Sequence, residues 1–149
     1  MEVKKILCAV DLEDTIAPSV EYAKMMASMT GASILVAYVI PAHTPYEDVY
    51  LSVNNQPNEV NNPNETIQKS MNALLAEQFA GMDATGVILV GRPSEELVKL
   101  AEEKGANLIV MGTHGRAGFD RLLFGSVAHE VVRAAPCPVM TVRPRMPKK

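Results

Sequence analysis

Ala106-Asn-Leu-Ile-Val-Met-Gly-Thr-His-Gly115, followed after nine residues by Gly125-Ser-Val-Ala-His-Glu-Val-Val-Arg133, joins an apolar run to an amphipathic one through a glycine-rich turn. The apolar run through Met111 reads as a strand and the segment from Ser126 to Arg133 as a helix, with Gly112, Gly115 and Gly125 at the turn between them. Glycines let backbone N–H groups approach an anion with no Cβ in the way. A helix N-terminus adds unpaired donors and the positive end of its dipole. Ser126 is placed to cap that helix or to bond a phosphate oxygen. The spacing alone leaves two readings open, a phosphate site and a plain tight turn. Two better-known signatures are excluded: no Gly-Lys-Ser/Thr occurs, so this is not a P-loop, and Gly112-x-x-Gly115-x-x-Gly118 lacks the G-x-G start of a dinucleotide fingerprint.

Outward from this unit, short apolar runs alternate with longer amphipathic segments. Val3–Val10, Ser33–Ile40, Thr85–Val90 and Val139–Arg143 read as strands. Ile16–Met29, with Pro18 in its first turn, reads as a helix ended by Gly31. Glu65–Phe79 precedes Gly81, and Pro93–Glu103 is closed by Gly105. Strands separated by helices imply right-handed crossovers and a parallel sheet covered on both faces, so the fold class is an open α/β sheet in one domain, residues 1–149. Ligands of such sheets lie at the carboxyl ends of the strands, where strand order reverses.

Composition sets outer bounds. A chain of 149 residues buries roughly 70% of its unfolded surface, enough for a core without staples. A formal charge of −3 leaves no basic footprint for nucleic acid. The two cysteines, Cys8 and Cys137, lie in apolar runs and argue against a metal site or a disulfide framework. Lys4 and Lys5 precede only a short apolar run, so neither a signal peptide nor a membrane span is expected and a cytoplasmic location is the default. Residues 41–64 are rich in asparagine and proline; they read as a polar, flexible insertion, with a lid over the crevice as the alternative.

Gly112-Thr-His-Gly-Arg-Ala-Gly118, Leu122-Leu-Phe-Gly-Ser-Val-Ala128 and Ala135-Pro-Cys-Pro-Val-Met-Thr-Val-Arg143 resemble the universal stress protein signature, and the G-x-x-G-x9-G-S spacing resembles its ATP-binding branch. Lys5-Ile-Leu-Cys-Ala-Val-Asp11 is similar to the family's first strand with its terminal aspartate. The resemblance implies a Rossmann-like five-stranded sheet of order 3-2-1-4-5, with the switch point between strands one and four. It implies ATP with Mg²⁺ as ligand. Asp11 would hold the ribose or adenine edge, and Val39 would offer its backbone N–H and C=O to the adenine. Met111, Gly112, Gly115, Gly125, Ser126 and Val127 would hold ribose and phosphates, mainly through backbone groups. It also implies a homodimer through the last strand, Val139–Arg143.

Catalytic groups are not evident. No Ser-His-Asp order, no convincing acid pair and no nucleophile elbow appear. His43 and His129 have no ligand partners at zinc spacing, and His114, Arg116 and Arg121 read as solvated. A carboxylate at Glu13 would repel phosphates unless Mg²⁺ lay between, or it complements the dipole of the next helix. The leading expectation is a nucleotide-dependent regulatory or stress-response protein with slow or no hydrolysis. The alternatives are a Mg²⁺-dependent ATPase or nucleotidyl-transfer enzyme related to the α/β adenine hydrolases, and a dimeric scaffold without nucleotide.

Overall fold

Lys5–Ala9 forms β1, a strand with four successive buried residues, as expected of a strand covered on both sides. It is followed by α1 (Pro18–Thr30), β2 (Ser33–Pro41), α2 (Pro63–Gln78), β3 (Ala84–Gly91), α3 (Pro93–Lys104), β4 (Leu108–Gly112), α4 (Arg121–Ala134) and β5 (Val139–Val142). The computed structural model describes residues 2–12, 17–41, 63–113 and 121–143. Of the polar segment 41–64, Pro41 closes β2 and the last two residues open α2, while 42–62 lie outside the described residues.

Helix boundaries follow local chemistry. Pro18 and Pro93 begin α1 and α3, where a missing N–H costs nothing. Gly31 and Gly105 end them in the left-handed conformation at φ 76° and 66°, and their N–H groups bond back to carbonyls of the last turn. Helix α4 departs from expectation. It begins at Arg121, so Ser126 lies inside it and is not its N-cap. Leucines at 122 and 123 are strong helix formers, and a lone interior glycine such as Gly125 costs only about 1 kcal/mol relative to alanine, so the helix extends upstream of the expected start.

The sheet has order β3-β2-β1-β4-β5, and every ladder is parallel. From β1 to β3 the chain steps one way across the sheet; after β3 it returns past β1 and steps the other way. By the right-handed rule for crossovers between parallel strands, that reversal sends the later helices to the opposite face. Ile6, Cys8 and Val10 accordingly pack with Val20, Ala23 and Ala27 of α1 and with Met71 and Leu74 of α2. Leu7 and Ala9 face Leu97, Leu100 and Ala101 of α3 and Ala128 and Val131 of α4. Each large aliphatic side chain so buried contributes about 1.5–3 kcal/mol of transfer free energy.

One tie was not expected from the sequence. Asn107, just before β4, accepts the N–H of Lys4 at 2.8 Å and of Lys5 at 2.9 Å on its Oδ1. Its own N–H donates to Lys5 O at 2.8 Å. These bonds set the register at the amino end of β1 and β4, and hence the levels reached at the other end.

Candidate functional site

At the carboxyl end of the sheet, β1 is the central strand and the chain leaves it at Val10. Val10 N donates to Ala37 O at 2.9 Å, so the peptide groups of Ala37 face β1. Successive residues of a parallel strand turn their N–H and C=O to alternate sides. Val39, two residues on, therefore faces the same way as Ala37, past Ala9, the last ladder residue of β1. On the other flank Thr113 N donates to Val142 O at 3.0 Å, toward β5. Gly112, its predecessor, turns its N–H and C=O toward β1. The main chains of Val39 and Gly112 thus converge on the ground beyond the end of β1, from the two sides of the switch point.

Asp11 stands half-buried in that ground, one residue after Val10. Extending the pairing Cys8↔Val110 brings Val10 level with Gly112; extending Ala9↔Ala37 brings Asp11 level with Val39. The side chains of Val39 and Met111 are core, 8% and 0% exposed, against the α3 and α4 side. Any polar contact from these two positions must come from the main chain.

The remaining expected positions are distributed differently. Ser126 is exposed and Val127 half-buried, on the second turn of α4. Because the helix starts at Arg121, its unpaired N–H donors belong to the first four residues, and Ser126 offers its hydroxyl in place of a free terminal amide. Gly125 is also within the helix. Gly115 lies outside the described residues, together with Glu13, His43, His114 and Arg116.

A polar cluster that sequence reasoning missed lies where α3 meets α4. Arg92 Nη2 donates to Glu130 Oε1 at 2.9 Å, and Ser94 Oγ donates to Glu130 Oε2. The Ser94 hydroxyl, and after it the Arg92 guanidinium, hold the Glu130 carboxyl below its ordinary range. The available signal was weak: a serine in the first turn of a helix and a glutamate four residues past Ser126, with nothing to say that they meet. Among the described residues no three His, Cys, Asp or Glu side chains are grouped to hold a metal ion, and no helix is long and apolar enough to cross a membrane.

A groove of about 680 Å³ opens elsewhere, between α1 and the edge strand β5, lined by Tyr22, Met25, Met140, Thr141, Val142 and Arg143 among others. It lies beside the sheet edge, and its described lining includes none of Asp11, Val39 and Gly112.

The sequence profile of the Universal stress protein family matches residues 2–143. The chain belongs to the universal stress protein family. It is 28% identical to universal stress protein MJ0577 of Methanocaldococcus jannaschii, with 94% of each chain covered. It is 33% identical to universal stress protein MJ0531 of the same organism, covering 98% of this chain and 84% of that one. The solved structure of MJ0577 superposes with a TM-score of 0.76 over 99% of this chain and all of that one, at 25% identity. The universal stress protein of Archaeoglobus fulgidus, solved in complex with dAMP, superposes with a TM-score of 0.56 over 95% of this chain and 98% of its own, also at 25% identity. The open α/β sheet of order 3-2-1-4-5 is therefore this universal stress protein's fold, as the signature implied.

Proposed function

We propose that this universal stress protein binds ATP with Mg²⁺ at the switch point between β1 and β4 and converts its occupancy into a regulatory state. The observation that carries the reading is the convergence of the Val39 and Gly112 main chains on the half-buried Asp11. The N–H and C=O groups at a strand end suit the donor and acceptor edge of adenine, and a carboxylate suits the ribose hydroxyls. In this reading Val39 takes the adenine, Asp11 takes the nucleoside, and Met111, Gly112, Gly115, Gly125, Ser126 and Val127 take ribose and phosphates. The dAMP bound by the Archaeoglobus fulgidus relative is in keeping with an adenine nucleotide. Mg²⁺ would be carried on the triphosphate and offset its charge, since the described side chains form no ion-binding cluster of their own.

A binding protein is favoured over an ATPase or nucleotidyl-transfer enzyme because no described residue combines a general base with a placed acceptor site. A cytoplasmic location belongs to the same proposal.

The reading includes a homodimer on β5, which among the described residues pairs with β4 alone. An open edge strand offers a row of N–H and C=O groups to another strand. Antiparallel pairing with a second β5 is self-complementary about a two-fold axis. Exposed Tyr22, Met25 and Met29 on α1, which packs on β5, supply apolar surface next to that edge.

Calorimetry of nucleotide-free protein with ATP and Mg²⁺ tests the binding, and chromatography of nucleotide released by heat identifies the resident ligand. No heat at millimolar ATP refutes the reading; rapid Mg²⁺-dependent turnover would transfer it to the enzyme class.

A further inference from the structure

Ser94 opens α3 directly after Pro93 and is only 4% exposed. A hydroxyl taken that far out of water needs a partner, and Ser94 Oγ finds it in Glu130 Oε2 on the neighbouring helix. The second oxygen of the same carboxylate accepts from Arg92 Nη2 at 2.9 Å, and Arg92 also pairs with Glu95 at 3.6 Å. Glu130 therefore spends both oxygens on the amino-terminal corner of α3, where the helix dipole favours an anion.

The contact joins two helices that cover the same sheet face and pack on each other. Their apolar contacts, Leu97 and Leu100 on one side and Ala128 and Val131 on the other, hold α4 down on the sheet. Apolar burial is non-directional, so it sets the distance of a helix better than its rotation. A carboxylate gripped at both oxygens is directional and sets rotation as well. Glu130 lies four residues beyond Ser126 and three beyond Val127, one turn on along the same side of α4. A rotation of α4 at Glu130 would carry Ser126 and Val127 with it.

We propose that Glu130 is a positioning residue for the nucleotide, its two-oxygen grip on Ser94 and Arg92 fixing the orientation of the α4 segment that carries Ser126 and Val127. The proposal rests on the nucleotide reading given above. Glu130 itself touches no ligand in this account; it acts through the helix.

The test compares Glu130→Ala, Glu130→Gln and Ser94→Ala with wild type for ATP affinity by calorimetry, for melting temperature without nucleotide, and for hydrogen exchange of the α4 amides. Glu130→Ala should weaken ATP roughly tenfold and quicken exchange from Val127 to Val131, the tenfold corresponding to loss of one charge-assisted contact. Glu130→Gln keeps an acceptor for the Ser94 hydroxyl and should stay within about threefold of wild type, well under the effect of losing the contact. Ser94→Ala should fall between them.

If wild type binds no ATP, the nucleotide reading falls and this proposal with it. If wild type binds and folded Glu130→Ala binds equally well, only the positioning role falls. Should Glu130→Ala fail to fold, Ser94→Ala and Glu130→Gln decide alone, and equal affinity in both overturns the proposal. Glu130→Gln as weak as Glu130→Ala would mean that charge acts through space, and it overturns the role as well.

Discussion

Replacing Asp11 by alanine separates a ligand carboxylate from a structural one. Asp11 is half-buried and stands beyond the last ladder pair of β1, Ala9↔Ala37. The main-chain bond from Val10 N to Ala37 O at 2.9 Å holds the strand at that end, and the substitution leaves it in place, while the reading above gives the carboxylate to the ligand. Melting temperature without nucleotide should therefore fall by no more than a few degrees, about 2–4 °C per kcal/mol in a domain of this size. Affinity should respond more strongly. One hydrogen bond from a sugar hydroxyl to a carboxylate contributes about 1.5–3 kcal/mol, which is roughly 10- to 150-fold in Kd. Calorimetry on nucleotide-free wild type and Asp11→Ala reads this ratio, and differential scanning of the same samples reads the melting temperature. Unchanged affinity, combined with a melting temperature lowered by about 6 °C or more (some 2 kcal/mol), would show that Asp11 is a structural residue and refute its assignment to the nucleoside. A parallel Ser126→Ala variant serves as an internal check. The two residues are assigned to opposite ends of the nucleotide, so their effects should add within about 0.5 kcal/mol.

Gly86 on β3 lies under Met71 of α2, and a Cβ there would stand 2.6 Å from Met71 Cγ and 3.0 Å from its Sδ. Gly86→Ala should cost about 1–3 kcal/mol by overpacking, and its cost should be smaller in a Met71→Ala background than in wild type; denaturant melts of the singles and the double check both. Burial pushes the Cys8 thiol up to about 12, whereas Cys137 is raised while remaining partly exposed. A thiol reagent at pH 8 should therefore label Cys137 first and Cys8 only as the protein unfolds, and equal rates would contradict this. The Glu130 carboxyl is lowered first by Ser94 and then by Arg92, so its contribution to stability is full above the unfolded carboxylate value and is lost as pH falls through the folded one. The difference in melting temperature between wild type and Glu130→Gln should hence shrink below about pH 4.3 and persist at pH 7. Thr141→Pro removes an N–H from the middle of β5 and should convert a dimer to monomer in light scattering; a wild type already monomeric at tens of micromolar would count against the β5 interface.

Most elements were legible because their signals are local. Each buried strand is a short apolar run, and Pro18, Gly31, Pro93 and Gly105 mark helix ends through their own backbone preferences. These preferences act within a few residues and need no partner from elsewhere in the chain. The start of α4 is the exception. Gly125-Ser126 resembles a helix entrance, but the residues from Arg121 onward favour helix strongly enough to absorb a glycine, so the local signal was real and a competing one outweighed it.

Strand order came from the likeness of three motifs to a family, not from periodicity, since apolar runs look alike wherever they lie in a sheet. The alternation of strands and helices, the caps, and the presence of Asp11 and the glycines around a strand end are written in the residues, because each depends on neighbouring residues alone. That Val39 and Gly112 turn their main chains toward the same ground as Asp11 is visible in the folded chain and not in the residues. The folded chain alone shows that Asn107 closes on Lys4 and Lys5 from 103 and 102 residues away, and that Glu130 grips Ser94 across 36. Those contacts depend on the reversal of strand order after β3 and on which sheet face each crossover reaches. Both are properties of the assembled chain, set by the handedness of its connections and by register, and no stretch of residues carries them.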